Sequence, residues 1–189
     1  MATTSYRPFA AIEVNLQTWH HLKEMAASLR ILKSSLKNID IQLPNKQRVV
    51  VTHEVGARQL VLDLSQESEG FRRLMACLLA LYQTPPKQTL IFDEPEKGIY
   101  PAGLAILADE IKGYANKRWG QILLTTHSPE FLDHFAPDQI RVVEMHDFHS
   151  SIGPISSEQL DALQEHYLEP KELLTVDEAR LEGPLAKAE

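Results

Sequence analysis

The sequence predicts an α/β fold: parallel core strands flanked by helices, preceded by a long helix and a small antiparallel β meander. Three observations predict it. The short apolar run Thr89-Leu90-Ile91-Phe92 ends in Asp93-Glu94-Pro95, and a second, Gln121–Thr125, ends in Thr126-His127-Ser128-Pro129. Runs this short, bounded by turn residues, suit strands of a parallel sheet covered on both faces. A helical pattern lies between them, and right-handed strand–helix–strand connections make two such strands parallel neighbours. Finally, residues 40–64 hold three closely spaced alternating segments, which favour an antiparallel meander over βαβ units.

A chain of 189 residues suffices for one well-cored domain. It is expected to divide into an N-terminal helix and meander (1–66), a core (67–145) and a C-terminal helix and tail (146–189). Apolar content of 43% and charged content of 24% are ordinary for a soluble globular chain and exclude a disordered or membrane-embedded one. The longest purely apolar runs are a few residues, too short to span a bilayer. Met1-Ala-Thr-Thr-Ser shows no basic segment followed by an apolar one, so no secretory signal is expected. The single cysteine, Cys77, lies in an apolar helical pattern and reads as a buried, inert thiol. A cytoplasmic location is the expectation. The net charge of −7 argues against a broad non-specific nucleic-acid surface and leaves room only for a local basic patch.

From Ile12 to Asn38 the chain reads as one long amphipathic helix. Leu22, Met25, Leu29, Leu32 and Leu36 recur at three- and four-residue steps, with Lys23, Lys33 and Lys37 between them. Such a seam docks on a neighbouring surface; a coiled-coil arm needs more sustained heptads. His20 and His21 have no partner pattern and read as surface residues. Strands are predicted at Asp40–Leu43, Arg48–His53 and Leu60–Leu64, with turns at Pro44-Asn45-Lys46 and Gly56-Ala57.

Ser68 is placed as the N-cap of a helix running to about Tyr82, with Leu74, Met75, Cys77, Leu78 and Leu81 inward. Gly70 would let a ligand approach the first turn, where unpaired amides and the positive dipole end favour phosphate. Taken alone, these residues are better read as a capped helix with no ligand. Gln83-Thr84-Pro85-Pro86-Lys87 is a rigid loop into the Thr89 strand. Pro101 opens the next helix at its first turn, and Leu104, Leu107 and Ile111 line it to about Asn116. Arg118-Trp119-Gly120 turns into the Gln121–Thr125 strand. Ser128 caps and Pro129 starts a short helix, which fixes His127 at the carboxyl edge of the sheet. A third strand is predicted at Ile140–Glu144 and a capped helix from Ser156 to Tyr167, with Gln159 at the capping-box position. The tail from Glu169 to Glu189 is charged and is expected to fray beyond Glu182. His146 and His149 have a metal-compatible spacing but sit in a loop without cysteines, so a metal site is not predicted there.

In open α/β sheets the chemistry sits just beyond the carboxyl ends of the strands, where Asp93 and Glu94 fall. An adjacent carboxylate pair there can divide two tasks. One holds Mg²⁺ through water; the other orients or deprotonates an attacking water. A solvated acidic turn is the alternative for the pair in isolation. The order Ser68-x-Gly70 opening a helix, Asp93-Glu94 ending a strand and His127 ending the next resembles the C-terminal half of an ABC-type ATPase head. Within that group it is most similar to the AAA-domain ATPases related to the RecF, SMC and overcoming-lysogenization-defect proteins. The resemblance is specific from about Leu62 to Glu144, and weaker over the N-terminal elements and Glu172-Leu173-Leu174-Thr175-Val176.

The resemblance implies ATP binding and hydrolysis with ATP and Mg²⁺. Residues Glu67 to Arg72 resemble the signature motif, so Ser68, Gly70 and Arg72 would contact the γ-phosphate of a nucleotide held by an opposing subunit. Leu90–Asp93 resembles the Walker B strand, with Asp93 the Mg²⁺-linked carboxylate and Glu94 the general base. Glu96 to Pro101 resembles the D-loop region, although many relatives carry histidine at the position of Tyr100. His127 resembles the switch histidine that senses the γ-phosphate.

The family's first motif, G-x-x-x-x-G-K-[ST], does not occur in this sequence. That loop supplies the amide cradle, the phosphate-binding lysine and a hydroxyl for Mg²⁺. Losing even one preorganised donor costs about 3–4 kcal/mol of transition-state stabilisation. The chain is therefore expected to need a P-loop-bearing partner or a further N-terminal half, and to self-associate as heads of this group do. Alternatively it is a non-catalytic ATPase remnant acting as an interaction module. A Mg²⁺-dependent nuclease or phosphatase ranks last, because the further carboxylates of a two-metal site are missing.

Overall fold

The computed structural model describes residues 19–42, 48–117 and 120–182. The chain divides into two compact units, Met1–Leu124 and Thr125–Glu189.

The first unit opens with α1 (Trp19–Arg30), which buries Leu22, Met25 and Leu29 completely. The predicted helix to Asn38 is corrected: α1 stops at Arg30, and Leu36 already belongs to a strand. Three- and four-residue apolar spacing continues past the end because Leu36 and Ile39 are also buried, but from β1. Arg30 secures the break by donating from Nε to the Leu36 carbonyl at 3.1 Å. Ser34 and Ser35, weak helix formers, lie in the intervening segment. The part of that prediction before Trp19, and the turn at Pro44-Asn45-Lys46, lie outside the described residues.

The meander is present as β1 (Leu36–Gln42), β2 (Arg48–Val55) and β3 (Arg58–Asp63), antiparallel in that spatial order. Val51 stands opposite Ile39 on one side and Leu62 on the other. Gly56 turns β2 into β3 at φ +61, a conformation glycine adopts without steric cost. Next comes α2 (Glu69–Leu81), with Phe71, Leu74, Met75, Leu78, Leu79 and Leu81 buried. Cys77 is only half-buried, and desolvation pushes its thiol up to about 11, which keeps it unreactive at neutral pH.

Then β4 (Thr89–Asp93), α3 (Pro101–Asn116) and β5 (Gln121–Thr125) follow in the predicted order. β4 and β5 pair in parallel. Gly120 brings β5 in tightly: a Cβ there would lie 2.3 Å from the Lys87 carbonyl oxygen, and Gln121 N–H donates to the Gln88 carbonyl at 2.8 Å. Glu110 on α3 accepts from Ser28 of α1 at 2.5 Å and from Tyr82, at the end of α2, at 2.7 Å. Burial, together with that carboxylate, pushes the Tyr82 phenol up.

One expectation for this sheet is corrected. Among the described residues, only the face bearing Leu90, Phe92, Ile122 and Leu124 is partly covered; on the other face Ile91 is 73% and Leu123 49% exposed. The apolar run of β4 encodes two-sided burial, and one side has no cover from the described residues.

In the second unit, α4 (Pro129–Leu132) is capped by Ser128 and buries Phe131. β6 (Arg141–His146) pairs antiparallel with β7 (His149–Pro154), a strand the sequence reading did not anticipate. His146 and His149 form the closing pair of this hairpin, around Asp147 and Phe148 at φ +45 and +65. Among the described residues no cluster of three metal-ligating side chains occurs. α5 (Ser157–Gln164) is shorter than predicted. Gln159 holds the capping-box position, its N–H donating to Ser156 Oγ at 3.4 Å, but its side chain does not return to the Ser156 N–H, which donates to the Arg180 carbonyl. The Gln159 side chain is buried and binds the returning chain, donating to the Asp177 carboxylate at 2.9 Å and accepting from Arg180 N–H at 2.9 Å. Ile140, Val142, Ile155, Leu163 and Leu173 form the core. No helix among the described residues is long and apolar enough to cross a membrane.

Candidate functional site

The candidate site of the first unit is built where the start of α2 meets the loop after β4. Ser68 is extended (φ −59, ψ 152) and exposed, and its Oγ accepts the Phe71 N–H at 3.4 Å. Glu69 follows in the first turn and pairs with Arg73 at 3.1 Å. Arg72 is half-buried, and its Nε finds no hydrogen-bond partner among the described residues.

Asp93 ends β4 with its side chain exposed. The chain then reverses at Glu94, which sits at φ +45, uncommon for a residue with a Cβ. Lys97 holds the reversal twice: its N–H donates to the Glu94 carbonyl at 3.2 Å and its Nζ lies 2.7 Å from Glu94 Oε2. That hydrogen bond and the carboxylate's charge raise the Lys97 ammonium above its ordinary range. Pro95, Glu96 and Ile99 are buried, so the loop is anchored by its own side chains.

Gly98, at φ +79, is the contact with α2. A Cβ on Gly70 would lie 2.5 Å from the Gly98 carbonyl oxygen, and Gly98 in turn lies against the Arg73 side chain. Gly70 was expected to give a ligand room; its missing side chain admits the Gly98 backbone. Ser68, Gly70 and the 94–98 loop are thus brought together. His127 belongs to the second unit. It is exposed in the turn where Ser128 N–H donates to Thr126 Oγ1 at 3.0 Å and Ser128 Oγ accepts Phe131 N–H at 3.2 Å.

Sequence reasoning missed a polar cluster next to Ser68. Glu67 is buried between Lys33 and His53, with Nζ at 2.8 Å and Nε2 at 2.5 Å. Burial alone would raise its carboxyl; hydrogen bonds from Lys33 and His53, with their charges, outweigh it and hold it below the usual carboxylate range. The available signal was His53 itself, standing at an inward position of the β2 alternation.

The carboxylates fit Mg²⁺ in one particular way. Asp93 offers a hard, exposed oxygen donor at a strand end, the kind of donor that Mg²⁺ takes.

A family model described as "AAA domain, putative AbiEii toxin, Type IV TA system" matches residues 12–133. Among curated proteins no relative matches the sequence. Solved structures of similar fold include a chain from work on ATP-driven dimerization and DNA stimulated activation of SMC ATPases. It has a TM-score of 0.56 and 18% identity over 80% of this chain and 94% of that one. The Smc head domain with an extended coiled coil, bound to the C-terminal domain of ScpA, from Pyrococcus furiosus gives 0.58 and 19% over 80% of this chain and 37% of that one. The Smc head domain with a coiled coil and joint from Pyrococcus yayanosii gives 0.56 and 18% over 80% and 29%. The chain therefore spans almost all of the first of these and well under half of the other two. At such identities the likeness is one of fold, that of the SMC ATPase head.

Proposed function

Because the chain belongs to the family described as "AAA domain, putative AbiEii toxin, Type IV TA system", an ATPase-type P-loop NTPase family, we propose that it is the C-terminal part of an ATP-hydrolysing head. In this reading it carries the signature, Walker B and switch-histidine residues, and a P-loop-bearing half supplies the phosphate cradle. The observation that carries it is the Gly70–Gly98 junction, which joins the Ser68 turn to the loop bearing Asp93 and Glu94. The open β4–β5 face, with Ile91 and Leu123 exposed, supports a further covering layer, since parallel sheets are rarely bare on one side.

Each residue then has a task. Asp93 would hold Mg²⁺ through water, and the ion when bound would supply positive charge against that developing on the phosphate oxygens. Glu94 takes a proton from the attacking water at a carboxylate oxygen after release from Lys97. His127 donates a hydrogen bond toward the γ-phosphate. Ser68 Oγ, the amides at Gly70 and the Arg72 guanidinium face the γ-phosphate of a nucleotide held by an opposing subunit, where the helix start favours an anion.

The test is a calorimetric titration of Mg²⁺-ATP into the purified chain, repeated after addition of a head half carrying G-x-x-x-x-G-K-[ST]. No binding by the chain alone up to millimolar nucleotide, and turnover once the P-loop half is present, is the expected result. Saturable micromolar binding by the chain alone, about −8 kcal/mol, would sink the split-head reading. Absence of turnover in the complex would leave the non-catalytic remnant as the better account.

A further inference from the structure

Glu67 and Ser68 are consecutive residues in extended conformation, at φ −75, ψ 161 and φ −59, ψ 152. These dihedrals lie near polyproline II, where successive side chains are turned by about 120° around the chain axis. Here Glu67 is 6% exposed and directed inward, while Ser68 is exposed. Whatever holds the Glu67 carboxylate therefore sets the direction of Ser68.

Both carboxylate oxygens are held, by different elements. Lys33, in the turn after α1, reaches Oε2 at 2.8 Å, and its ammonium also lies 5.1 Å from the centre of the Phe71 ring. His53, on β2, reaches Oε1 at 2.5 Å, and its other ring nitrogen lies 3.3 Å from Ser35 Oγ. Both ring nitrogens therefore have a partner, Ser35 Oγ at Nδ1 and Glu67 Oε1 at Nε2. A buried ion pair is weak support for stability, because well-packed apolar residues commonly do as well. Its more specific contribution is geometric: two side chains from separate elements converge on one carboxylate beside the α2 N-cap.

We propose that Lys33 and His53 are positioning residues that, through Glu67, fix the turn carrying Ser68 and the first amides of α2. That this turn faces a nucleotide's phosphate rests on the ATPase reading above; the positioning does not. Lys33 and His53 hold one end of the turn through Glu67, and the Gly98 carbonyl seats against Gly70 three residues on.

The test is residue-resolved amide exchange on the full chain without nucleotide, together with a ¹⁵N spectrum of the histidine side chains. Lys33→Met should speed exchange at Phe71 and Arg72 by about tenfold while leaving Leu107 in α3 unchanged, and Lys33→Arg should restore protection. The wild type should show a protected His53 Nε2–H that is lost in Glu67→Ala. Lys33 is 38% exposed, so its replacement opens no buried cavity and gives a folded variant even where His53→Leu does not. Acceleration spread evenly through the first unit, no change at Phe71, or failure of arginine to rescue would each overturn the proposal. Because no nucleotide is added, such a result counts against positioning alone, whereas lack of turnover in a reconstituted complex counts against the ATPase reading.

Discussion

Gly70 approaches Gly98 so closely that a Cβ on Gly70 would stand 2.5 Å from the Gly98 carbonyl oxygen. The obstacle is backbone, not the far end of a flexible side chain, so the start of α2 and the loop after β4 cannot absorb it independently. A shift of the loop bearing Asp93 and Glu94 toward α2 therefore meets the turn bearing Ser68, which couples the two in that direction.

Gly70→Ala is accordingly expected to destabilise the first unit by about 1–3 kcal/mol, the usual cost of overpacking, although alanine is the better helix former. Thermal unfolding with a probe in α2 measures it. A variant as stable as the wild type would mean that the junction yields at little cost, and the proposed coupling would go with it.

The Glu67 carboxyl is held below its ordinary value by Lys33 and His53, against the opposing effect of burial. A depressed carboxyl contributes stability that is full above its unfolded pKa and is lost as pH falls through its folded pKa. Glu67→Gln should therefore cost about 1–3 kcal/mol near neutral pH. The gap to wild type should narrow below about pH 4.3, where the unfolded glutamate binds its proton. Denaturant unfolding of both proteins between pH 7 and 3 checks this, and the difference cancels the other carboxylates. A gap that stays constant with pH would refute the charged network.

The parts of this fold readable in the sequence are those set by neighbours a few residues apart. Ser68 and Ser128 as caps, Pro101 and Pro129 at helix starts, and the strand at Arg48–His53 all follow from local rules, and all are present. The end of α1 was hidden because Leu32 and Leu36 continue the helical spacing, while the break depends on Arg30 reaching the Leu36 carbonyl. β7 was hidden because His149-Ser150-Ser151-Ile152-Gly153-Pro154 has almost no apolar alternation and gains its strand from pairing with β6. Of the candidate site, the spacing of Ser68, Asp93, Glu94 and His127 could be read directly. The Gly70–Gly98 contact and the Lys33–Glu67–His53 cluster could not, since each joins residues distant in sequence.

In the second unit, Gln159 is 1% exposed and answers Arg180 N–H, the Asp177 carboxylate and the Glu178 carbonyl at 2.9, 2.9 and 3.0 Å. Leucine has nearly the same volume but gives no partner to the Arg180 N–H or the Glu178 carbonyl, and leaves the Asp177 carboxylate with Arg180 alone. Gln159→Leu should cost about 1–3 kcal/mol, with the loss concentrated in the 177–182 segment that pairs with Ile155 through Leu181. Exchange at Arg180 and Leu181 should rise well before that of β6. Uniform loosening of the unit, or none, would count against this assignment.

Glu94 is where chemistry and geometry can be separated most sharply. It sits at φ +45 with its carboxylate 2.7 Å from Lys97 Nζ, in a loop anchored by buried Pro95 and Ile99. Glutamine keeps the shape and one acceptor oxygen but cannot take a proton from water. In a complex reconstituted with a P-loop-bearing half, Glu94→Gln should therefore slow turnover by about 10²–10⁴-fold, the range of a general base, and leave Mg²⁺-ATP affinity nearly unchanged. Lys97→Ala is the control. Lys97 is 68% exposed and holds Glu94 back from water, so its removal should leave turnover intact or raise it. Single-turnover hydrolysis and equilibrium binding, measured on the same preparations, separate the two quantities. Equal rates for Glu94→Gln and wild type would remove Glu94 as the base, whereas a parallel loss of binding would mean that it holds the metal and that Asp93 and Glu94 share the task assigned to Asp93.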